Sequence, residues 1–186
     1  MITVSITIIK KSVYLEVEKT TSYAGRKAIG EDVAVAMDRI ASTESDRTML
    51  ERYWNEACAM ATECMRQFLS SVTMSPSLTT SPGAVDNLSD DDDYSVTLSM
   101  PASYDRTLND GLAASLYSFF VNYIVSKWYM AAAKSDVTAY TTEAAAMLLD
   151  VRTKLYYRKA PTRVAPNKGS VVTDKGSVVI HGATDE

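Results

Sequence analysis

Histidine is nearly missing from this chain of 186 residues, and cysteine, glycine and proline are scarce: one His, two Cys, seven Gly and five Pro. The single His181 stands among glycine, alanine and threonine near the C-terminus, with no acid and nucleophile arranged around it as a triad. A zinc site draws three or four ligands mainly from Cys and His, and this chain holds only those three, so no metal site is expected. Cys58 and Cys64 fall six apart in a segment that reads as helix, about 9 Å along the axis at about 1.5 Å per residue. That exceeds the disulfide limit of about 7 Å, so both are expected as small apolar thiols of a reducing compartment. Gly25 and Gly30 are isolated, which removes the Walker and dinucleotide patterns and with them the case for ATP or NAD. So few glycines and prolines also argue against a glycine-rich nucleotide fold and against an all-β barrel with many tight turns.

Long apolar runs are missing too. The stretch from Leu112 to Ala133 is interrupted by Asn122 and Lys127, short of the roughly 20 apolar residues of a membrane span. The N-terminus lacks the basic start and apolar stretch of a signal peptide, so neither export by that route nor a membrane partner is expected. The acidic run Asp90 to Asp93 suggests Ca²⁺, but an EF-hand loop begun at Asp86 puts Leu88 at a ligand position, and one begun at Asp90 puts Tyr94 there. A solvated loop is the expected role. No cofactor and no catalytic residue emerge from this inventory.

What the chain does have is core material: 46% hydrophobic and 23% charged residues, in the range of a globular domain. The net charge of −4 is uneven. Residues 1 to 157 carry 14 basic and 20 acidic groups, net −6, and residues 158 to 186 carry 5 and 3, net +2. An acidic body with a basic tail is implied.

Periodicity predicts a mainly α protein: a helical bundle with one or two N-terminal strands, an inserted β-hairpin or tongue, and an extended C-terminal arm. Ile2, Val4, Ile6 and Ile8 alternate with hydroxyl residues, and Val13, Leu15 and Val17 continue the alternation, which suggests a second strand. A short helix is expected from about Thr20, capped by Thr21 or Ser22 and closed by Gly30. A long helix follows from a capping-box variant at Thr43 and Asp46. Leu50, Trp54, Ala57, Ala61, Cys64 and Phe68 form its apolar stripe, widened by Tyr53, Met60 and Met65, and Glu51, Arg52 and Glu56 fall on the polar side. From about residue 70 to 108 the helical period lapses. Tyr94, Val96, Leu98 and Met100 alternate as a strand, with Ser70 to Thr80 as its antiparallel partner, in a tongue expected to project from the bundle for interaction rather than to join the core. Two more helices carry Leu112, Leu116, Phe119 and Trp128, then Tyr140, Ala144, Leu148, Val151 and Leu155. Their short connection makes them antiparallel neighbours.

Past Tyr157 the chain changes character. Arg158, Lys159, Pro161, Arg163, Pro166 and Lys168 form a basic extended arm. Gly169, Ser170, Val171, Val172 is echoed by Gly176, Ser177, Val178, Val179, followed by Ile180, a small hairpin, a strand awaiting a partner or a frayed tail. The candidate partner-binding residues are therefore Arg158, Lys159, Pro161, Arg163, Lys168, Val171, Val172, Val178, Val179 and Ile180.

Two strings carry a resemblance. One runs Ser42, Thr43, Glu44, Ser45, Asp46, Arg47, Thr48, Met49, Leu50, Glu51, Arg52, Tyr53, Trp54; the other runs Leu155, Tyr156, Tyr157, Arg158, Lys159, Ala160, Pro161, Thr162, Arg163. Together with the helix pair the chain resembles the head-to-tail connector proteins, neck adaptors or rings, of tailed bacteriophages, in particular those of crAss-like and Bacteroides-type phages and prophages. The resemblance implies a structural virion protein, made in the host cytoplasm and placed in the neck. It implies a homo-oligomeric ring, commonly twelvefold, that meets portal and tail proteins and passes double-stranded DNA without sequence-specific contacts. An acidic bore would repel phosphate and let the genome slide. Two rivals remain. A DNA-binding helical regulator would use the six basic residues from Arg152 to Lys168 on phosphates. A small helical nucleotide pyrophosphohydrolase would need glutamates converging on Mg²⁺, and Glu51, Glu56 and Glu63 lack that spacing.

Overall fold

The computed structural model describes residues 1–27, 42, 46–73, 93–132, 136–159, 170–172 and 178–180. Strand β1, Ile2–Ile8, leads into helix α1, Lys10–Lys27. Helix α2 spans Arg47–Met65 and a single 3₁₀ turn, Arg66–Phe68, hands it to strand β2, Leu69–Thr73. Strand β3, Tyr94–Met100, is followed by helix α3, Asn109–Ala131, and helix α4, Val137–Tyr156. Strands β4, Ser170–Val172, and β5, Val178–Ile180, complete the order. The protein is mainly helical with a small sheet, as its periodicity predicts.

The expected second N-terminal strand is instead the first half of α1. Val13, Leu15 and Val17 fit either period, and burial decides: Val13 and Val17, four apart, are fully buried, and Leu15 is exposed. The carboxylate of Asp93, just ahead of β3, accepts from the Lys10 backbone N–H at 3.0 Å and so caps α1 from across the sheet. A capping acceptor of this kind is worth about 1 kcal/mol. Thr21 does not cap; inside the helix its hydroxyl donates back to the Val17 and Glu18 carbonyls and meets the Ser42 hydroxyl. Gly30 and Thr43 lie outside the described residues, and Asp46 flanks the start of α2 directly, without a side-chain cap bond.

The three-stranded sheet has the order β1-β3-β2, antiparallel throughout. Register places Val4 opposite Leu98, Ile6 opposite Val96 and Ile8 opposite Tyr94; β2 pairs Val72 with Val96 and carries a bulge between Leu69 and Ser71. One face is apolar. Val4, Ile6, Ile8, Tyr94, Val96, Leu98 and Met100 are all buried. This corrects the expectation of a projecting tongue: β3 pairs with strands on both sides and forms the middle of the sheet, and β2 is the antiparallel partner the sequence suggested. Of the acidic run, Asp93 is the capping residue, and Asp90 to Asp92 lie outside the described residues.

Helix α3 is apolar on several sides because it is central. Leu112, Leu116, Phe119, Phe120, Ile124 and Val125 are buried among α1, α2, α4 and β1. Its start lies against the end of α4, where the Lys154 ammonium donates to the Gly111 carbonyl at 3.1 Å, and its end meets the start of α4 through the Tyr129 and Tyr140 rings, 5.2 Å apart. The pair is therefore antiparallel. In α2 the stripe of Leu50, Tyr53, Trp54, Ala57, Ala61 and Met65 is buried, Phe68 and Leu148 are half-buried at its margin, and Met60 is exposed. Glu51 departs most from expectation, being buried rather than on the polar side.

Candidate functional site

Three polar clusters and the root of the arm hold the chemistry-bearing side chains. The deepest joins Lys10 of α1 to Glu51 of α2. The ammonium lies 2.7 and 2.6 Å from the two carboxylate oxygens, with 2% and 9% of the two side chains exposed. The Tyr14 hydroxyl donates to the same carboxylate at 3.1 Å. Burial first, and then the Glu51 charge, push the Tyr14 phenol far above its ordinary range, so it stays a proton donor. Nearby Cys58 is likewise pushed up, chiefly by burial, and remains a thiol rather than a nucleophilic thiolate. Charges buried this way are matched to one another.

A second cluster ties α3 to α4. Ser115 donates to the Gly111 carbonyl at 2.8 Å and to Asp150 at 2.5 Å; Lys154 donates to Ser115 at 2.6 Å and pairs with Asp150. A serine beside a lysine suggests a nucleophile and base, but a base must be neutral and this ammonium is held by a carboxylate. The Lys154 hydrogen bond and then that of Ser115 hold Asp150 below the usual carboxylate range. The bonds this carboxylate accepts therefore stabilise the folded chain above the ordinary carboxylate range, and that contribution is lost as the pH falls through the lowered value. The cluster works as a latch between helices. In the third, Glu56 accepts from Tyr123 at 3.1 Å and pairs with Lys127 at 3.0 Å; burial opposes ionisation there, and the Lys127 and Tyr123 hydrogen bonds outweigh it and lower the Glu56 pKa. Among the described residues no group of three His, Cys, Asp or Glu is placed to hold a metal ion.

The root of the arm has a different character. Arg158 lies back on the body, its guanidinium 5.5 Å from the Phe68 ring centre, with Nη1 donating to the Leu155 and Tyr157 carbonyls at 2.7 and 2.8 Å. The Lys159 backbone N–H donates to the Ser103 carbonyl at 3.0 Å, so the chain is pinned beside the turn that follows β3 while the Lys159 side chain is exposed. Phe68 packs edge-on against Tyr156 at 5.2 Å, Tyr156 donates to Gln67, and Arg152 covers the Tyr156 ring at 6.0 Å. The Thr107 backbone and hydroxyl, and then the nearby Lys159 charge, hold the Asp105 carboxyl below its usual range.

Of the residues singled out from sequence, Arg158 and Lys159 thus come together on this aromatic and cationic corner. Val171 and Val172 lie in β4, and Val178, Val179 and Ile180 in β5. The two strands pair antiparallel, Val171 opposite Val179, as a sheet of their own. Pro161, Arg163 and Lys168 lie outside the described residues. Sequence reasoning missed Phe68 as a neighbour of the root, since it comes from the 3₁₀ turn after α2, far away in the chain, and it missed Arg152, which covers Tyr156 from one turn earlier on α4. The signal available was the dense run Tyr156, Tyr157, Arg158, Lys159. No family model, no curated protein and no solved structure matches the chain.

Proposed function

We propose that the protein is a structural assembly component, a ring-forming connector of a phage neck, whose C-terminal arm clasps a neighbouring subunit. The observation that carries this reading is the arm itself: a root fixed to the body at Arg158 and Lys159, followed by a hairpin that forms a sheet separate from the body's. A two-stranded hairpin with three residues per strand is marginal in water and needs a surface to complete it. The phage context comes from the two strings of resemblance; the arm geometry fits it without depending on it. The polar clusters support a structural role as well, because buried Lys10 and Glu51 pair with each other, and Ser115, Asp150 and Lys154 bond to one another between two helices.

The arm is expected to act through both its strands and its charge. Ending the chain at Tyr157 should leave helical circular dichroism nearly unchanged and abolish assembly. Charge reversal at Arg158, Lys159 and Arg163 should weaken assembly in a salt-sensitive way, since charges at an interface rim steer association and are screened over about 10 Å at 0.1 M salt. Sedimentation of the three chains side by side reads the result. Assembly by the truncated chain equal to that of the full chain would refute the clasp. Tight, salt-dependent binding of duplex DNA, lost in the charge-reversed chain while assembly persists, would favour the regulator instead.

A further inference from the structure

We infer that the acceptor for the arm is the free edge of β1 in a second copy of this chain, so that the β4–β5 hairpin of one copy extends the β1-β3-β2 sheet of the next. This rests on the reading of the arm as a clasp and names its partner.

The two edges of the body sheet differ. Strand β2 is short and bulged, a device that discourages pairing by another chain. Strand β1 has none of these guards: seven residues, Ile2 to Ile8, with no charge, no proline and regular register along its whole length against β3. Among the described residues its other edge pairs with no strand. Natural sheets blunt such an edge with lysine, proline or a bulge, because its unpaired N–H and C=O groups recruit strands. An unguarded edge is a binding element.

The same chain carries a matching donor. Serine, valine and isoleucine make up β4 and β5 without a charged residue, and among the described residues each strand pairs on one edge alone. The donor also starts close by. Lys159 is bonded to Ser103, three residues past Met100, and Met100 lies opposite Ile2 at the start of β1. Among the described residues of a single chain the hairpin forms a sheet of its own and no strand pairs with the outer edge of β1, which suits that edge to a strand from another copy. Each subunit then offers one donor and one acceptor at different places. Such a heterologous contact propagates head to tail and closes into a ring when the rotation allows.

The test uses full-length chains. Hydrogen exchange measured across a concentration series should show amides of Ile2 to Ile8 slowing at least tenfold as subunits associate, with Val171 to Val172 and Val178 to Ile180 slowing in parallel. Ser5→Lys, on the exposed face of β1, should keep the helical spectrum and weaken self-association at least tenfold. So should the donor variant Val171→Pro with Val179→Pro. Mixed together, the acceptor-blocked and donor-blocked chains should form one-to-one pairs that grow no further, because one retains only a donor and the other only an acceptor. Unchanged β1 exchange at every concentration, or wild-type association by Ser5→Lys, overturns the proposal. Protection of β1 in the dilute monomer that the double proline variant removes means the arm folds back on its own chain, and overturns it too. If the double proline variant loses assembly while β1 never gains protection, the clasp reading stands and only the acceptor is wrong.

Discussion

Glu51→Ala should destabilise the chain by about 3–5 kcal/mol, the cost of leaving one charge of a buried pair without its partner. Lys10 has only 2% of its side chain exposed, so its ammonium cannot recover water when the carboxylate is removed. Tyr14 loses its acceptor in the same step. Because a domain is stable by about 5–15 kcal/mol in all, the midpoint of urea unfolding should fall by about a fifth or more of its value. Removing both charges is a different matter. Lys10→Met with Glu51→Leu and Tyr14→Phe should recover most of the loss, since a buried pair roughly breaks even against apolar groups of similar volume. A Glu51→Ala midpoint within the range of an exposed substitution would mean that the α1–α2 junction is not built around this pair.

The second large effect is expected at Trp54. Its indole lies 4.8 Å from Phe120 and 6.2 Å from Tyr14, centre to centre, and Phe120 in turn meets Tyr94 at 5.3 Å. These rings join α1, α2, α3 and the middle strand of the sheet at one point. Trp54→Ala removes the largest of these side chains from a position 1% exposed, and should cost about 3–5 kcal/mol through lost burial and the cavity left behind. Phe120→Ala faces the same cavity, so the double variant should cost less than the sum of the two singles by about 0.5–3 kcal/mol. Thermal unfolding of the four chains measures this, and strict additivity would separate the two rings.

These two sites show what was legible in the sequence. Trp54, Phe119 and Trp128 were readable as core because spacings of three and four place them on helix faces, and the Val-rich echo was readable as strand-forming but not as a hairpin alone. Glu51 was not. Its position within α2 places it beside Arg52 on a charged flank, and it is Lys10 and Tyr14, 41 and 37 residues earlier, that make its burial possible. The strand Tyr94–Met100 shows the same limit: alternation announced a strand, but whether its apolar face met core or solvent depended on β1, at the far end of the chain. Val13 and Val17 failed for a local reason, since three alternating residues satisfy both periods. The arm is an intermediate case, its strands visible in the repeat and its root visible only once Ser103 and Phe68 are placed beside it.

The central question is whether copies of this chain assemble through the arm into a closed ring. Negative-stain imaging of the purified full-length protein, concentrated to drive association and compared with the chain ended at Tyr157, addresses that directly. Closed rings of uniform subunit number with an open bore are expected for the full chain, and single subunits for the truncated one. Single subunits in both samples, or the same rings in both, would contradict assembly through the arm.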